Sequence, residues 1–193
     1  MSDLFDYLNE GISDLHPYEP GRSIEDVIAE YQPEKIVKLA SNENPLGPSP
    51  KAVEALKIHN DDLHLYPDGD SKKLKSLIAK HESLDVSNII IGNGSNEVLE
   101  LAARAFLNKD TSALMSKHAF AVYKIVTQSN GSKIIEVPTI DWRHALKDFS
   151  SYIEDSTRVC FVANPNNPTG TYNSHNEFKS MMDAIPSSIL VIL

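Results

Sequence analysis

Short apolar runs alternate with amphipathic stretches along the second half of the chain. The compact runs typical of buried strands are residues 89–91, 112–116, 134–137, 158–163 and 188–193. Stretches with apolar side chains at helical spacing separate them, at residues 95–107, 120–130, 142–152 and 177–184. Strands without a polar face are typical of a parallel sheet that is covered on both sides. The pattern therefore predicts an α/β fold with a mostly parallel sheet.

The first half of the chain shows a weaker pattern. Ser49 and Pro50 are suited to begin a helix whose apolar side chains are Ala52, Val53 and Leu56. A second amphipathic helix is predicted around Leu74, Leu77 and Ile78, after a turn at Tyr66-Pro67-Asp68-Gly69. In the helix predicted at residues 95–107, we expect Val98, Leu101, Ala102 and Ala105 to share the buried face.

The N-terminal region has little regular pattern. Pro17, Pro20, Gly21 and Pro33 interrupt any regular element within the first 35 residues, which predicts a mobile arm. We therefore expect two parts, an N-terminal arm or small-domain segment at residues 1–40 and a truncated large domain at residues 41–193.

Composition narrows the classes of partner. The formal net charge of −9 argues against nucleic acid and anionic membranes as partners. Cys160, the single cysteine, lies in an apolar run, so we expect a buried thiol and a cytoplasmic protein. Residues 1–10 have three acidic side chains and no long apolar core, so we expect no signal peptide there. No apolar run approaches the roughly 18 residues of a transmembrane helix, so we expect none. The seven histidines show no ligand spacing, so no metal site is predicted.

A glycine-containing turn links the run at residues 89–91 to the next helix. It reads Gly92-Asn93-Gly94-Ser95-Asn96-Glu97. Its glycines allow a ligand to approach the backbone, and the first amides of the helix favour a phosphate group. A dinucleotide site and a plain tight turn are the alternatives, although Glu97 replaces the third glycine of the dinucleotide motif.

A second motif follows the run at residues 158–163. It reads Asn164-Pro165-Asn166-Asn167-Pro168-Thr169-Gly170. Such a composition is typical of a rigid turn. However, it lies at the carboxyl end of a predicted parallel strand, where ligands bind in α/β sheets. An asparagine amide held between prolines is a preset donor for an aromatic oxyanion.

These motifs together resemble those of the fold-type I, pyridoxal-phosphate-dependent aminotransferases. Two further segments precede them in the same order as in that family, Ser41-Asn42-Glu43-Asn44-Pro45-Leu46-Gly47 and Tyr66-Pro67-Asp68-Gly69. The segment His16-Pro17-Tyr18-Glu19-Pro20-Gly21 is similar to that of the histidinol-phosphate aminotransferase branch. The resemblance covers residues 16–193 and corresponds to the N-terminal half of such an enzyme. It implies the three-layer large domain of fold-type I, pyridoxal 5'-phosphate as cofactor and a homodimer.

The resemblance also implies roles for individual residues. The amides of Ser95 and Asn96 would hold the cofactor phosphate, and the Phe120 ring would stack on the pyridine. Asn167 would hydrogen-bond the phenolic oxygen. Tyr66 would reach the phosphate of the cofactor in the neighbouring subunit. Tyr18 would close over the substrate. Without the order of the motifs, Phe120 would be interpreted as a core residue, Tyr66 as a turn residue and Tyr18 as a surface residue.

The family's reaction needs groups that this sequence is not expected to contain. The resemblance places the acid beside the pyridine nitrogen directly after a segment like Val191-Ile192-Leu193, and the Schiff-base lysine later still. Lys117 matches the lysine motif only faintly and precedes the asparagine motif. We therefore expect no catalytic residue within these 193 residues.

The parent activity implied is amino transfer between histidinol phosphate and 2-oxoglutarate, which yields glutamate. An aromatic amino acid as donor and a non-catalytic remnant are the alternatives.

Overall fold

The computed structural model describes residue 8, residues 10–18 and residues 21–193. Residues 1–7, Asn9, Glu19 and Pro20, all within the predicted arm, lie outside this part of the chain. The chain forms two compact units, Met1–Tyr18 with Gly92–Leu193, and Glu19–Ile91. The domain boundary expected at residue 40 stays a prediction.

A four-stranded parallel sheet forms the centre of the larger unit. Its strands are β1 (Ser112–Ser116), β2 (Lys133–Val137), β5 (Thr157–Phe161) and β6 (Leu190–Ile192). Between β2 and β5 the chain forms a short hairpin of β3 (Thr139–Ile140) and β4 (Arg143–His144). The sheet order is β2-β1-β5-β6, and each neighbouring pair is parallel. β3 and β4 pair antiparallel outside this sheet.

Three α-helices and a 3₁₀ helix cover the sheet of this unit. They are α4 (Ser95–Phe106), α5 (Ala121–Ser129), a 3₁₀ helix (Leu146–Tyr152) and α6 (His175–Ala184). α5 ends where Gly131 adopts a φ of 69°, in agreement with the predicted stop. α6 begins with a capping box between Ser174 and Glu177.

Alternating side chains of each strand build two cores. Ala113, Met115 and Phe161 pack under α4 and α5, whereas Leu114 and Cys160 pack with the 3₁₀ helix and α6. All five side chains are fully buried, so the predicted α/β fold with a sheet covered on both faces is confirmed. Burial raises the pKa of the Cys160 thiol to about 12.

Three details of the sequence prediction beyond residue 88 were wrong. Residues 89–91 form no strand, and Ile90 is 72% exposed, because no other strand of the described chain pairs with this run. Residues 142–152 form β4 and a 3₁₀ helix, since Asp141 and Trp142 make a hairpin turn with positive φ.

The third error concerns the buried face of α4. Leu99 and Ala103 face the core, while Leu101 is 51% exposed and Ala105 is exposed. The real stripe continues from Ala103 to Leu107, at a spacing of one helical turn.

The described part of the smaller unit contains three α-helices, two short 3₁₀ helices and little core. The α-helices are α1 (Ile24–Tyr31), α2 (Pro50–Ile58) and α3 (Lys72–Glu82), and the 3₁₀ helices are Asn60–Asp62 and Val86–Asn88. α1 corrects the prediction of an arm without regular elements over the first 35 residues, because Ser23 caps its start and no proline or glycine falls within it. α2 begins at Pro50 as predicted, but the Ser49 side chain makes no capping hydrogen bond. Ala79 is the only buried residue among those described in this unit. No helix in the described ranges has both the length and the apolar composition needed to cross a membrane.

Candidate functional site at the carboxyl edge of the sheet

Two loops meet where neighbouring parallel strands end. β1 ends at Ser116 and continues into residues 117–120, and β5 ends at Phe161 and continues into residues 164–170. β1 and β5 are paired in the sheet, so both loops leave the same edge. Ligands of α/β proteins bind at this edge.

The start of α4 lies at the same edge. Residues 107–111 are the short connection from α4 to β1, so the helix runs back along the sheet. Leu99 and Ala103 of α4 pack with Met115 of β1, which places the helix against the strand. The N-terminus of α4 therefore lies towards the carboxyl end of β1.

Backbone geometry at this helix start leaves two amides available. Gly94 precedes the helix with a φ of 79° and contributes no side-chain cap. In the described part of the chain, the amides of Ser95 and Asn96 have no acceptor, as expected for the first turn of a helix. Both residues are exposed. The helix start therefore presents free donors, and the helix dipole adds a positive potential.

Glu97 closes the turn before the helix. One of its carboxylate oxygens, Oε2, accepts hydrogen bonds from the Asn93 backbone N at 2.5 Å and from Asn93 Nδ2 at 3.2 Å. A Cβ on Gly92 would lie 2.9 Å from the same oxygen, which is the end of a side chain that can shift. The carboxylate thus contacts residue 93 and leaves the amides of the following residues unused.

The loop at residues 164–170 presents one asparagine and buries another. Asn167 is exposed, and its side chain makes no hydrogen bond within the described residues. Asn166 is 3% exposed; its Nδ2 donates to the His118 carbonyl and to Thr169 Oγ1, both at 2.7 Å. Asn166 therefore anchors the loop, and Asn167 is available to a ligand.

Phe120 follows β1 at the start of α5 and is half-buried. Its ring meets the Tyr123 ring edge-on, with centroids 5.7 Å apart. Tyr123 stacks on Phe161 of β5 with centroids 4.7 Å apart, and burial raises the pKa of Tyr123. This aromatic row supports Phe120 at the sheet edge.

The larger unit thus brings Ser95, Asn96, Phe120 and Asn167 to one edge of the sheet. Lys117 is exposed in the same loop as Phe120. The roles expected for these residues stay predictions.

The two tyrosines fall in different units. Tyr18 belongs to the larger unit and is 56% exposed, whereas Tyr66 belongs to the smaller unit and is fully exposed. Their expected roles also stay predictions.

His144 is a buried polar residue at this edge that the sequence did not single out. It lies in a segment predicted to be helical, where its contacts with Ser116 and Ala163 were not foreseeable. The local sequence indicated only that this histidine lies between the aromatic Trp142 and the apolar Leu146. The adjoining turn residue Trp142 packs against the His118 ring, with centroids 4.7 Å apart.

A separate cavity of about 570 Å³ lies between the β3–β4 hairpin and α6. Its lining includes the Arg143–Glu177 ion pair at 2.6 Å and none of the four residues gathered at the sheet edge. The position of the free backbone donors is the better guide to ligand chemistry, so we place the candidate site at the edge. Within the described ranges, no three His, Cys, Asp or Glu residues lie close enough together to hold a metal ion.

Comparisons with known proteins agree with this architecture. The family model for aminotransferase class I and II matches residues 34–193. The chain therefore belongs to the class I and II aminotransferase family.

Within that family, the chain is similar to histidinol-phosphate aminotransferases. It is 46% identical over 185 residues to histidinol-phosphate aminotransferase 2 of Pseudomonas fluorescens strain Pf-5, covering 95% of this chain and 50% of that protein. It is 44% identical over 195 residues to the histidinol-phosphate aminotransferase of Methylobacillus flagellatus, covering 100% of this chain and 53% of that protein. The chain thus spans about half the length of the curated relatives it matches.

Solved structures share the fold. The histidinol-phosphate aminotransferase of Sinorhizobium meliloti, in complex with pyridoxal-5'-phosphate, matches with a TM-score of 0.84 at 22% identity, over 97% of this chain and 50% of that one. Tyrosine aminotransferase of Leishmania infantum matches with a TM-score of 0.62 at 21% identity, over 72% of this chain and 42% of that one. The fold is that of the fold-type I aminotransferases, as the sequence predicted.

Proposed function

We propose that this chain forms the cofactor-phosphate half of a pyridoxal-phosphate-dependent aminotransferase that acts on histidinol phosphate and 2-oxoglutarate. One observation carries the proposal: the free amides of Ser95 and Asn96 lie at the same sheet edge as the unpaired side chain of Asn167. The 40–46% identity to proteins named histidinol-phosphate aminotransferase supports the choice of substrate.

The start of α4 fits a phosphate group. The first amides of this 12-residue helix are unpaired. Gly94 lets the backbone turn before the helix without a side chain that would block a ligand. Two amide donors and the helix dipole favour a dianionic phosphate over a neutral group. Ser95 and Asn96 would therefore hold the cofactor phosphate.

The two loops fit an aromatic ring that carries an oxyanion. Phe120 offers an apolar ring beside the helix start, which excludes water from one face of a bound pyridine. Asn167 Nδ2 is a donor for the phenolic oxygen. A charge-assisted hydrogen bond at this position would orient the ring relative to the phosphate.

When bound, pyridoxal phosphate supplies an electron sink for cleavage of a bond at the amino-acid α-carbon. Catalysis also requires a lysine that attaches the cofactor and moves a proton. We propose that no residue among these 193 performs that step. The chain by itself would then bind the cofactor non-covalently and show no turnover.

The partners proposed for the parent enzyme follow from its relatives and from the expected roles of two tyrosines. Tyr18 would close over the substrate, and Tyr66 would reach the cofactor phosphate of a second copy in a homodimer. We also propose that the enzyme is cytoplasmic, in line with its buried cysteine thiol.

Calorimetric titration with 4-deoxypyridoxine 5'-phosphate tests the cofactor site. This analogue keeps the phosphate and the phenolic oxygen but forms no bond with lysine. We expect saturable binding of one molecule per chain. Asn167→Ala should weaken binding roughly tenfold, the loss expected for a hydrogen bond to a charged group. Asn176→Ala, at an exposed position of α6, is the matched control.

Two variants of Ser95 separate its amide from its side chain. Ser95→Pro removes the amide at the first position of the helix, where proline is tolerated. Ser95→Ala keeps the amide. We expect the proline variant to bind inorganic phosphate and the analogue more weakly than the alanine variant does. Equal affinities, or an unmodified chain that does not bind the analogue, would contradict the proposed site.

Substrate choice and turnover need separate measurements. Histidinol phosphate should bind the chain loaded with pyridoxal 5'-phosphate more tightly than phenylalanine does. Tighter binding of phenylalanine would instead support an aromatic donor. Borohydride treatment with pyridoxal phosphate should leave no stoichiometric adduct at Lys117 by mass spectrometry; such an adduct would refute the non-covalent proposal.

A further inference from the structure

His144 links the ends of two strands at the sheet edge. The residue is 3% exposed. Its Nδ1 lies 2.6 Å from Ser116 Oγ at the end of β1, and its Nε2 lies 2.8 Å from the Ala163 carbonyl oxygen after β5. Phe120 follows Ser116 in the chain, and Asn167 follows Ala163. The His144 imidazole thus contacts the residues that directly precede the two loops, Ser116 at the end of β1 and Ala163 after β5.

The two partners determine the tautomer of this ring. A carbonyl oxygen only accepts hydrogen bonds, so Nε2 carries the proton and donates it to Ala163. Nδ1 of the neutral ring therefore accepts from the Ser116 hydroxyl. Burial lowers the pKa of His144, which favours this neutral form.

The backbone of His144 holds the far end of the same loop. Asn173 Nδ2 donates to the His144 carbonyl at 3.0 Å. Asn164 and Asn173 close the loop on each other: Asn164 Nδ2 donates to the Asn173 carbonyl at 2.9 Å, and the Asn173 backbone N donates to Asn164 Oδ1 at 2.8 Å. The ring of His144 thus contacts the entry to the loop, and its carbonyl contacts the exit.

We propose that His144 is a positioning residue that fixes the loop of residues 164–170 against the end of β1 and so holds Asn167 in place for the cofactor's phenolic oxygen. This inference rests on the proposed function. It assigns His144 no contact with the ligand. Removing the ring leaves the Ala163 carbonyl and the Ser116 hydroxyl without partners in a buried place, and the loop then loses its fixed position relative to Phe120.

Two ligands distinguish positioning from general loss of structure. Inorganic phosphate probes the amides of α4 alone, whereas 4-deoxypyridoxine 5'-phosphate also needs Asn167. His144→Ala should lower the affinity for the analogue by roughly fivefold or more, which is the size of effect expected between coupled neighbours. The affinity for inorganic phosphate should stay within about twofold of that of the unmodified chain. His144→Gln keeps a donor for the Ala163 carbonyl and should recover part of the loss. His175→Ala, at an exposed position of α6, is the matched control.

A double-mutant cycle tests whether His144 acts through Asn167. In the Asn167→Ala background, His144→Ala should cause no further loss of affinity for the analogue. The positioning role would be overturned if the losses of affinity for the analogue in the two variants were additive. It would also be overturned if His144→Ala lowered the affinity for inorganic phosphate as much as that for the analogue.

Hydrogen exchange tests the loop without any ligand. The Asn166 amide donates to the Thr171 carbonyl and the Gly170 amide to the Asn166 carbonyl, both at 2.8 Å. His144→Ala should speed exchange at these two amides and leave the amides between β1 and β2 unchanged. Unchanged exchange in the loop would overturn the inference. If the unmodified chain does not bind the analogue, the proposed function fails, and this exchange measurement still decides whether His144 fixes the loop.

Discussion

The Asn166 side chain donates a hydrogen bond of 2.7 Å to the backbone carbonyl of His118, 48 positions earlier in the sequence. This contact joins the loop after β5 to the loop after β1. Both loops belong to the candidate site, since one carries Asn167 and the other carries Phe120. The contact therefore keeps the two walls of the site at a constant distance from each other.

Replacing Asn166 with alanine should destabilise the chain. The His118 carbonyl and Thr169 would lose a buried donor, and an unpaired buried polar group costs about 1–3 kcal/mol. Urea denaturation followed by circular dichroism measures the loss. Asn176→Ala, on the exposed surface of α6, should change the free energy of unfolding little. Equal midpoints for the two variants would show that Asn166 does not anchor the loop.

The buried face of α4 can be checked with two leucines of the same helix. Leu99 is 8% exposed and Leu101 is 51% exposed. Leu99→Ala should lower the free energy of unfolding by about 2–4 kcal/mol because it leaves a cavity. Leu101→Ala should cost well under half of that. A larger loss for Leu101→Ala than for Leu99→Ala would show that the face predicted from the sequence, which carries Leu101, is the buried one.

Alanine substitutions at Gly94 and Gly69 test the cost of a positive φ at two positions where a Cβ would have space. A Cβ would meet nothing within 4 Å at either position, but only Gly94 has a positive φ, of 79°, with a ψ of 173°. Gly94→Ala should destabilise the chain by about 1–3 kcal/mol, because side-chain-bearing residues rarely adopt this conformation. Gly69→Ala should be neutral or slightly stabilising. Thermal unfolding of both variants checks this difference; equal melting temperatures would contradict it.

The stability of the chain should depend on pH through His144. Burial lowers the pKa of this imidazole in the folded chain below the value of about 6.5 expected when unfolded. The unfolded chain therefore binds more protons, so stability is fully present above about pH 6.5 and is lost as pH falls through the folded pKa. Urea titrations between about pH 8 and pH 5 should show this decline, and His144→Gln should flatten it. An equal slope in the variant would assign the decline to other groups.

Local sequence was sufficient for most elements of the larger unit. Solid apolar runs identified β1, β2, β5 and β6, since a buried parallel strand needs apolar side chains on both faces. The turn residues then identified where a ligand can approach the backbone. Neither inference depends on a distant partner. The α/β fold was predicted from the apolar runs, and the family from the resemblance of the ordered motifs to those of the aminotransferases.

Elements that depend on distant partners were not predictable in the same way. Residues 89–91 have a strand-like composition, yet a strand exists only where a neighbour pairs with it. The hairpin turn at Asp141 and Trp142 is stabilised from outside, because Thr171 Oγ1 donates to the Trp142 carbonyl at 3.1 Å. Helical spacing was the stronger local signal there, and the tertiary contacts overrode it.

The sequence by itself determined the class of fold, because this follows from local apolar periodicity, and the resemblance of its ordered motifs supplied the residues of the candidate site. Only the tertiary structure showed that Asn166 is buried and anchors the loop while Asn167 is exposed, and that His144 contacts both loops. Adjacent asparagines have the same local chemistry. Which one is buried depends on a carbonyl 48 residues away, and a bridging imidazole depends on three segments that meet only in the folded sheet.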